Sequence, residues 1–190
     1  MKLYLIRHGE SEANVDNTVY YSTPDHQINL TDKGVQQALE VGETLSLSCK
    51  PSYYTLMIHS PFHRAKMTAQ YINSIVQLNI KECPLIYEQL YKPSLASFEE
   101  PHTSYSKEAV DFGKYWYKEG SMESINDCYQ RAVQFYTLLK TGYYGSVDKL
   151  VIVSHGTFLR CLIGVIKQQS VDEIIHSPDL ENCCLETFTI

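Results

Sequence analysis

The chain has 190 residues, of which 44% are hydrophobic and 20% are charged, and these values argue against a largely disordered chain. Its 22 acidic residues outnumber its 16 basic ones and give a net charge of −6, which argues against binding to a nucleic-acid duplex or to an anionic membrane surface. A chain of this length is typical of one domain, so we predict a single domain over residues 1–190.

The first half of the chain predicts strands that alternate with helices. A short buried strand is predicted over Lys2–Ile6, and a helix is predicted to begin at Thr31-Asp32. A second strand is predicted over Tyr54–His59. Ser60-Pro61 then predicts a helix with Ser60 as its N-cap, since serine caps helix starts and proline suits the first helical position. A third strand is predicted near Pro84–Tyr87.

The second half begins with an irregular segment. Residues 89–121 show no sustained hydrophobic period, and we predict a small cap excursion that is part loop and part short helix. An amphipathic helix is predicted from Ile125 to Leu139, a strand over Leu150–Ser154, a helix after Gly156 and a last strand over Cys183–Ile190. The alternation predicts a three-layer α/β/α sandwich around a mostly parallel central sheet.

The cysteines and the N-terminal residues indicate the cellular compartment. None of the six cysteines forms a C-x-x-C pair, which argues against a zinc site of that type. Arg7 ends the first apolar run too early for a signal peptide, and the longest apolar stretches are too short to span a bilayer. We therefore expect a cytoplasmic protein with free thiols.

Polar clusters follow all four strands that are expected to be parallel. They are Arg7–Ser11 after the first strand, Ser60 and Arg64 after the second, Glu88 after the third and His155–Thr157 after the fourth. Because the carboxyl ends of parallel strands share one edge of a sheet, we expect these clusters to converge there.

The expected cluster is suited to a small phosphorylated dianion. Two guanidiniums, two imidazoles and two helix N-termini offer positive charge and donors to phosphate oxygens, and the same cations would repel a metal ion. A histidine kept neutral by neighbouring cations can attack phosphorus in line, and a carboxylic acid is then needed to protonate the leaving oxygen. No G-x-S-x-G motif occurs, which argues against a serine hydrolase.

These residues resemble the histidine phosphatase superfamily, also called phosphoglycerate mutase-like. The resemblance rests on Arg7-His8-Gly9-Glu10-Ser11 with Asn14, on Leu30-Thr31 with Gly34, on Ser60-Pro61 with Arg64-Ala65 and Thr68-Ala69, and on Ser154-His155-Gly156. It implies that His8 is the phosphorylated nucleophile and that Arg7, Arg64 and His155 hold the phosphoryl group. It also implies that Glu88 is the proton donor, that Asn14 adds a contact, and that no metal or other cofactor takes part.

Several assignments stay open at this point. Glu99 and Glu100 are rival candidates for the acid. The predicted substrate contacts, which are Ser11, Asn14, Gly156 and Thr157, each have a simpler explanation as residues that cap a turn or begin a helix.

We expect a phosphatase that hydrolyses phosphomonoesters of small metabolites. The first alternative is a phosphoglycerate mutase, which needs further arginines for the substrate carboxylate. The chain has only four arginines, and Arg131 and Arg160 fall in predicted helices. The second alternative is a non-catalytic module that binds phosphorylated ligands. The complete set of histidines and arginines argues against this module, since inactive relatives tend to lose one of them.

Overall fold

The computed structural model describes residues 1–90, 116, 118 and 122–190. Within these residues five strands form one sheet in the order β3-β2-β4-β1-β5. The first four strands run parallel, and β5 pairs antiparallel with β1 at the edge of the sheet. The strands are β1 (Lys2–Arg7), β2 (Thr55–His59), β3 (Asn79–Glu82), β4 (Lys149–Ser154) and β5 (Leu185–Thr189).

Six α-helices and three short 3₁₀ helices are described with this sheet. The α-helices are α1 (Glu12–Val15), α2 (Asp32–Ser48), α3 (His63–Val76), α4 (Ile125–Lys140), α5 (Gly156–Lys167) and α6 (Val171–His176). The 3₁₀ helices cover Asn17–Tyr21, Asp25–Gln27 and Pro84–Ile86. In the part of the chain that the structure describes, no helix is both long enough and apolar enough to cross a membrane.

The two faces of the sheet bury separate sets of side chains. Tyr4 and Ile6 of β1 pack in a cluster with buried residues of α2 and α3. Leu3 and Leu5 of the same strand pack with α4 and α5 on the other side. Because successive strand residues point to opposite faces, this alternation places helices on both sides and confirms the three-layer α/β/α architecture.

The strand register brings the predicted clusters to one edge of the sheet. Arg7 at the end of β1 pairs with Ser154 at the end of β4, and His59 at the end of β2 pairs with Val153. Backbone hydrogen bonds extend this ladder, since His8 donates to the Ser154 carbonyl at 2.9 Å and Ser60 donates to the Val153 carbonyl at 3.0 Å. The residues after three strands are therefore held side by side by the sheet itself.

The third strand was predicted in the wrong place. The strand covers Asn79–Glu82, and the segment Pro84–Ile86 forms a 3₁₀ helix instead. Pro84 has no N–H to give to a ladder, so the chain turns there and buries Ile86. Glu88 consequently follows this turn rather than the end of a strand.

The predicted start of the second long helix was also wrong. The helix begins at His63, with Phe62 as its N-cap residue, and Ser60 is not its cap. The Ser60 N–H still bonds to the Val153 carbonyl of β4, so Ser60 extends the sheet and the helix begins only after it. The cap excursion predicted over residues 89–121, with Glu99 and Glu100, lies almost wholly outside the described residues.

A close contact between two glycines fixes the turn after β1. A Cβ atom on Gly34 would lie 2.0 Å from the Glu10 carbonyl oxygen, and one on Gly9 would lie 2.4 Å from the Gly34 carbonyl oxygen. Both clashes are with backbone atoms, so no side chain can move aside to relieve them. Helix α2 therefore packs directly against the segment that follows His8.

We predict that Gly34→Ala lowers the free energy of unfolding by about 1–3 kcal/mol, because the added methyl group must displace backbone. Urea unfolding monitored by circular dichroism would measure the change. Gly42→Ala on the same helix is the matched control, since the nearest atom there is the tip of the Ile75 side chain at 3.0 Å, which can rotate, and the nearest backbone atom, Ile72 Cα, is 3.3 Å away. An equal loss in both variants would contradict this account.

Candidate active site

Two histidines meet where β1 and β4 end. The ring centroids of His8 and His155 are 5.1 Å apart in an edge-to-face arrangement, and both side chains are buried. The ring of Phe62 lies 5.1 Å from that of His155 and closes one side of the pair. The two imidazoles predicted for the site are therefore neighbours in an enclosed environment.

The hydrogen bonds of His8 define which ring nitrogen carries its proton. Nδ1 lies 2.7 Å from the Gly9 carbonyl oxygen, which can only accept, so the proton is assigned to Nδ1. The Arg64 Nε–H donates to Nε2 at 3.2 Å, which requires a lone pair on that nitrogen. The neutral ring thus presents an unprotonated Nε2 beside the Arg64 guanidinium.

Burial and positive charge keep both rings neutral. Burial is the main cause that holds the pKa of His8 well below its usual value, and the charges of Arg64 and Arg7 lower that pKa further. Burial likewise holds the pKa of His155 well below its usual value, with Arg64 the next cause. A nitrogen nucleophile at His8 would consequently be available at neutral pH.

Ser60 orients His155 rather than capping a helix. The Ser60 hydroxyl oxygen accepts the Phe62 N–H at 3.2 Å and lies 2.8 Å from His155 Nε2. If the hydroxyl donates this hydrogen bond, the neutral His155 ring carries its proton on Nδ1. That Nδ1 is buried without a partner among the described residues, and so is Arg7 Nε. With that tautomer, each of these two atoms carries an N–H that can donate a hydrogen bond to a phosphate oxygen.

Arg64 is held by an acid from the loop before α2. Its Nη1 donates to the Asp25 carboxylate at 2.8 Å and to the Asp25 carbonyl at 2.7 Å. The guanidinium is almost fully buried, whereas Asp25 is partly exposed. Asp25 therefore fixes the guanidinium that contacts His8 and places a negative charge beside it.

Glu88 lies at the N-terminus of α5. Its carboxyl oxygens accept the backbone N–H groups of Phe158 at 3.2 Å and Thr157 at 3.3 Å. The residue is partly exposed. Loss of hydration around the carboxyl nevertheless raises its pKa, and the backbone hydrogen bonds and the Arg64 charge only partly offset that effect. Glu88 accepts the Thr157 N–H in this arrangement, and a contact between Thr157 and phosphate stays a prediction.

The remaining predicted contacts occupy the borders of the site. Ser11 donates both its backbone N–H and its hydroxyl to Asn14 Oδ1, each at 3.0 Å, so the pair closes the turn before α1. Gly156 begins α5, and a Cβ there would lie 3.6 Å from Arg7 Nε. The turn accounts for Ser11 and Asn14 without a substrate, and substrate contact for Ser11, Asn14 and Gly156 stays a prediction.

Several contacts that support the site were not predicted from sequence. Thr68 accepts the Gly9 N–H at 3.0 Å, and the Asn182 amide donates to the His8 carbonyl at 3.0 Å. Burial raises the pKa of Tyr20, and the charges of Asp25 and Glu88 raise it further, whereas those of Arg64 and Arg7 lower it. Only Thr68, which follows Arg64 at a helical spacing of four, carried a local signal.

The arrangement can bind a tetrahedral oxyanion and transfer its central atom. A neutral imidazole nitrogen, two guanidiniums and a second imidazole offer a nucleophile with donors around it. A carboxyl with a raised pKa can carry a proton to a leaving group. Among the described residues no group of three histidines, cysteines, aspartates or glutamates could hold a metal ion, and the expectation of a metal-independent reaction stays a prediction.

Because the Arg64 charge lowers the pKa of His8, we predict that Arg64→Met raises that pKa toward its usual value. Titration of the ring ¹⁵N shifts, assigned with His8→Asn, would measure it. Arg160→Met is the control, since Arg160 is also largely buried but pairs with Asp179 away from the histidines. An unchanged His8 pKa in Arg64→Met, or an equal shift in the control, would contradict the assigned cause.

The sequence comparisons agree with the geometry. A model of the histidine phosphatase superfamily (branch 1) matches residues 3–190. The chain is 30% identical over 185 residues to the phosphoglycerate mutase-like protein AT74 of Arabidopsis thaliana, and the match covers 85% of this chain and 56% of that protein. It is 28% identical over 184 residues to the uncharacterized phosphatase PhoE of Bacillus subtilis, covering 97% of this chain and 86% of that protein. This chain therefore spans just over half the length of the first of these relatives.

Solved structures share the fold over nearly the whole chain. YhfR of Bacillus stearothermophilus has a TM-score of 0.80 at 22% identity, with 100% of this chain and 91% of that chain covered. The alpha-ribazole phosphatase from Shigella flexneri has a TM-score of 0.74 at 25% identity, with the same coverage. A mycobacterial glucosyl-3-phosphoglycerate phosphatase has a TM-score of 0.74 at 18% identity, covering 98% and 88%. The order of the motifs, their convergence at one sheet edge and the match from residue 3 to residue 190 lead to one conclusion: the chain belongs to the histidine phosphatase superfamily.

Proposed function

We propose that the protein is a metal-independent phosphatase that hydrolyses phosphomonoesters of small metabolites through a phosphohistidine on His8. The observation that carries the proposal is the unprotonated His8 Nε2 beside the Arg64 guanidinium. Arg7 Nε and His155 Nδ1 have no partner among the described residues, and with the His155 proton on Nδ1 both would donate to the phosphoryl oxygens. The two guanidiniums supply the positive charge that metal ions provide in other phosphatases.

The first half of the reaction would form the phosphoenzyme. The Arg64 Nε–H turns from His8 Nε2 to a phosphoryl oxygen, the freed Nε2 lone pair attacks phosphorus, and the bond from phosphorus to the ester oxygen breaks on the opposite side. Glu88 gives its proton to the departing oxygen, so the product is a neutral alcohol. The raised pKa of Glu88 keeps this proton available nearer to neutral pH than an ordinary carboxyl would.

The second half would return the enzyme to its starting state. The Glu88 carboxylate takes a proton from water, and the resulting hydroxide attacks the phosphoryl group. The bond between phosphorus and Nε2 breaks, leaving inorganic phosphate, a neutral His8 and a protonated Glu88. The His8 Nδ1–H would keep its hydrogen bond to the Gly9 carbonyl throughout, which preserves the ring orientation.

The placement of the arginines supports hydrolysis over a mutase reaction. Arg131 pairs with Glu123, and Arg160 pairs with Asp179, so a substrate carboxylate would have to compete with an acidic partner at either arginine. Lys118, another cation that could bind a carboxylate, is paired with Asp127 at 3.0 Å. A phosphoglycerate mutase remains the second candidate, because AT74 bears that family description, whereas the Shigella and mycobacterial neighbours are described as phosphatases.

We predict that labelled phosphate from a phosphomonoester panel is trapped on the wild-type protein in an acid-labile, alkali-stable form and is absent from His8→Ala. The label should pass to water even when glycerate phosphates are present. His176→Ala is the matched control, since His176 is an exposed histidine on α6 and should leave trapping unchanged. Trapping in His8→Ala would refute the nucleophile, and transfer to a phosphoglycerate would favour the mutase.

Glu88→Gln should slow the hydrolysis of an alkyl phosphate by about 100-fold or more but slow that of p-nitrophenyl phosphate far less, because only the alcohol needs a proton to leave.

The pH profile of kcat/KM should also change. In the wild type, activity falls at high pH as Glu88 loses its proton and at low pH as His8 gains one. Glu88→Gln should lose the alkaline limb alone, and equal losses on both substrates would place the acid elsewhere.

A further inference from the structure

Arg131 on α4 is a buried arginine that the proposed reaction does not use directly. Its Nε donates to one oxygen of Glu123 at 3.1 Å, and its Nη2 donates to the other at 2.6 Å. Both side chains are largely buried, and the geometry is the two-pronged pairing that a guanidinium makes with a carboxylate. The pair is therefore a fixed element rather than a surface ion pair.

The rest of the Arg131 guanidinium binds the main chain that leads to Glu88. Nη1 donates to the carbonyls of Leu85 at 3.1 Å and Tyr87 at 2.7 Å, and Nη2 reaches the Glu88 carbonyl at 3.4 Å. The guanidinium carbon also lies 3.6 Å from the centre of the Tyr87 ring. One side chain thus holds three carbonyls of a segment that has no strand of its own.

Glu123 holds the same segment from the other direction. Its carboxylate accepts the Tyr87 hydroxyl at 2.9 Å and the Leu90 N–H at 3.1 Å. Its backbone N–H donates to the Leu90 carbonyl at 2.8 Å, and its carbonyl accepts the Gln89 amide at 2.9 Å. The residues on both sides of Glu88 are therefore bound to the ion pair.

The orientation of Glu88 depends on these hydrogen bonds from Arg131 and Glu123. Its carboxyl reaches the N–H groups of Thr157 and Phe158 only if the backbone at residue 88 stays at its present distance from α5. Segment 83–90 includes a short 3₁₀ helix and has few other fixed points, one of which is the Ser154 hydroxyl on the Ile86 carbonyl at 2.6 Å. A displacement of about 1 Å in a reacting group is enough to change a rate strongly.

We propose that Arg131, together with Glu123, is a positioning residue that sets Glu88 in place as the proton donor. The inference rests on the proposed function, because it assigns a role through Glu88. The competing explanation is that the ion pair only fixes α4 to the neighbouring loop and stabilises the fold. The two explanations differ in which substrates an altered Arg131 would affect.

The test compares Arg131→Lys with the wild type on an alkyl phosphate and on p-nitrophenyl phosphate, using kcat/KM for each. Lysine keeps the charge but cannot form the paired contacts with Glu123 and the three carbonyls. We expect kcat/KM for the alkyl phosphate to fall about 10- to 100-fold more than that for p-nitrophenyl phosphate. Equal losses on the two substrates would overturn the proposal.

A second arm removes the acid first. In a Glu88→Gln background, Arg131→Lys should cause no further loss on the alkyl phosphate, because the residue it positions is already gone. Additive losses would overturn the proposal. Arg160→Lys is the matched control, since Arg160 is a largely buried arginine on α5 that pairs with Asp179, and it should leave the ratio of the two rates unchanged.

Two further measurements separate the possible failures. If Arg131→Lys does not fold, Glu123→Gln loosens the same pair with Arg131 retained and should show the same substrate dependence. If Glu88→Gln itself slows both substrates equally, the proposed acid is wrong and this inference falls with it. If Glu88→Gln discriminates between the substrates and both loosened variants do not, the proposed function stands and the positioning role is wrong.

Discussion

The site depends on two imidazoles that stay neutral in a pocket of positive charge. Burial disfavours a charged ring, and the guanidiniums of Arg7 and Arg64 add to that preference. The Gly9 carbonyl then decides which nitrogen of His8 keeps the proton. Gly9 also packs so closely against Gly34 that neither position has room for a Cβ atom, so the carbonyl that orients His8 belongs to a tightly packed backbone segment.

The short segment that carries the site is held from several directions. The sheet binds the His8 N–H, α3 supplies Thr68 for the Gly9 N–H, and Asn182 donates to the His8 carbonyl. The Cys183 N–H also donates to the carbonyls of Arg7 and His8. Parallel strands, helices and the loop before β5 therefore fix the residues after β1 together, as a reaction that relies on positioning requires.

The sheet edge was predictable from sequence because apolar strands are followed by polar residues, as β1 is at its end by Arg7 and β4 by His155. What the sequence did not reveal depends on contacts between distant segments. Ser60 has the chemistry of a helix cap, but its hydroxyl meets His155, which lies 95 residues further along the chain. Pro84–Ile86 is apolar enough for a strand, yet proline favours the turn. The pairing of Asp25 with Arg64 joins two segments that share no local pattern.

The carboxylate of Asp25 also bears on how the protein would part with inorganic phosphate. A pocket built only from guanidinium and imidazole groups would retain any small anion strongly, including the one that hydrolysis leaves behind. Asp25 reduces the positive potential at Arg64 and competes for one of its nitrogens. In the proposed phosphatase, the residue that orients Arg64 toward His8 would therefore also weaken inhibition by the product.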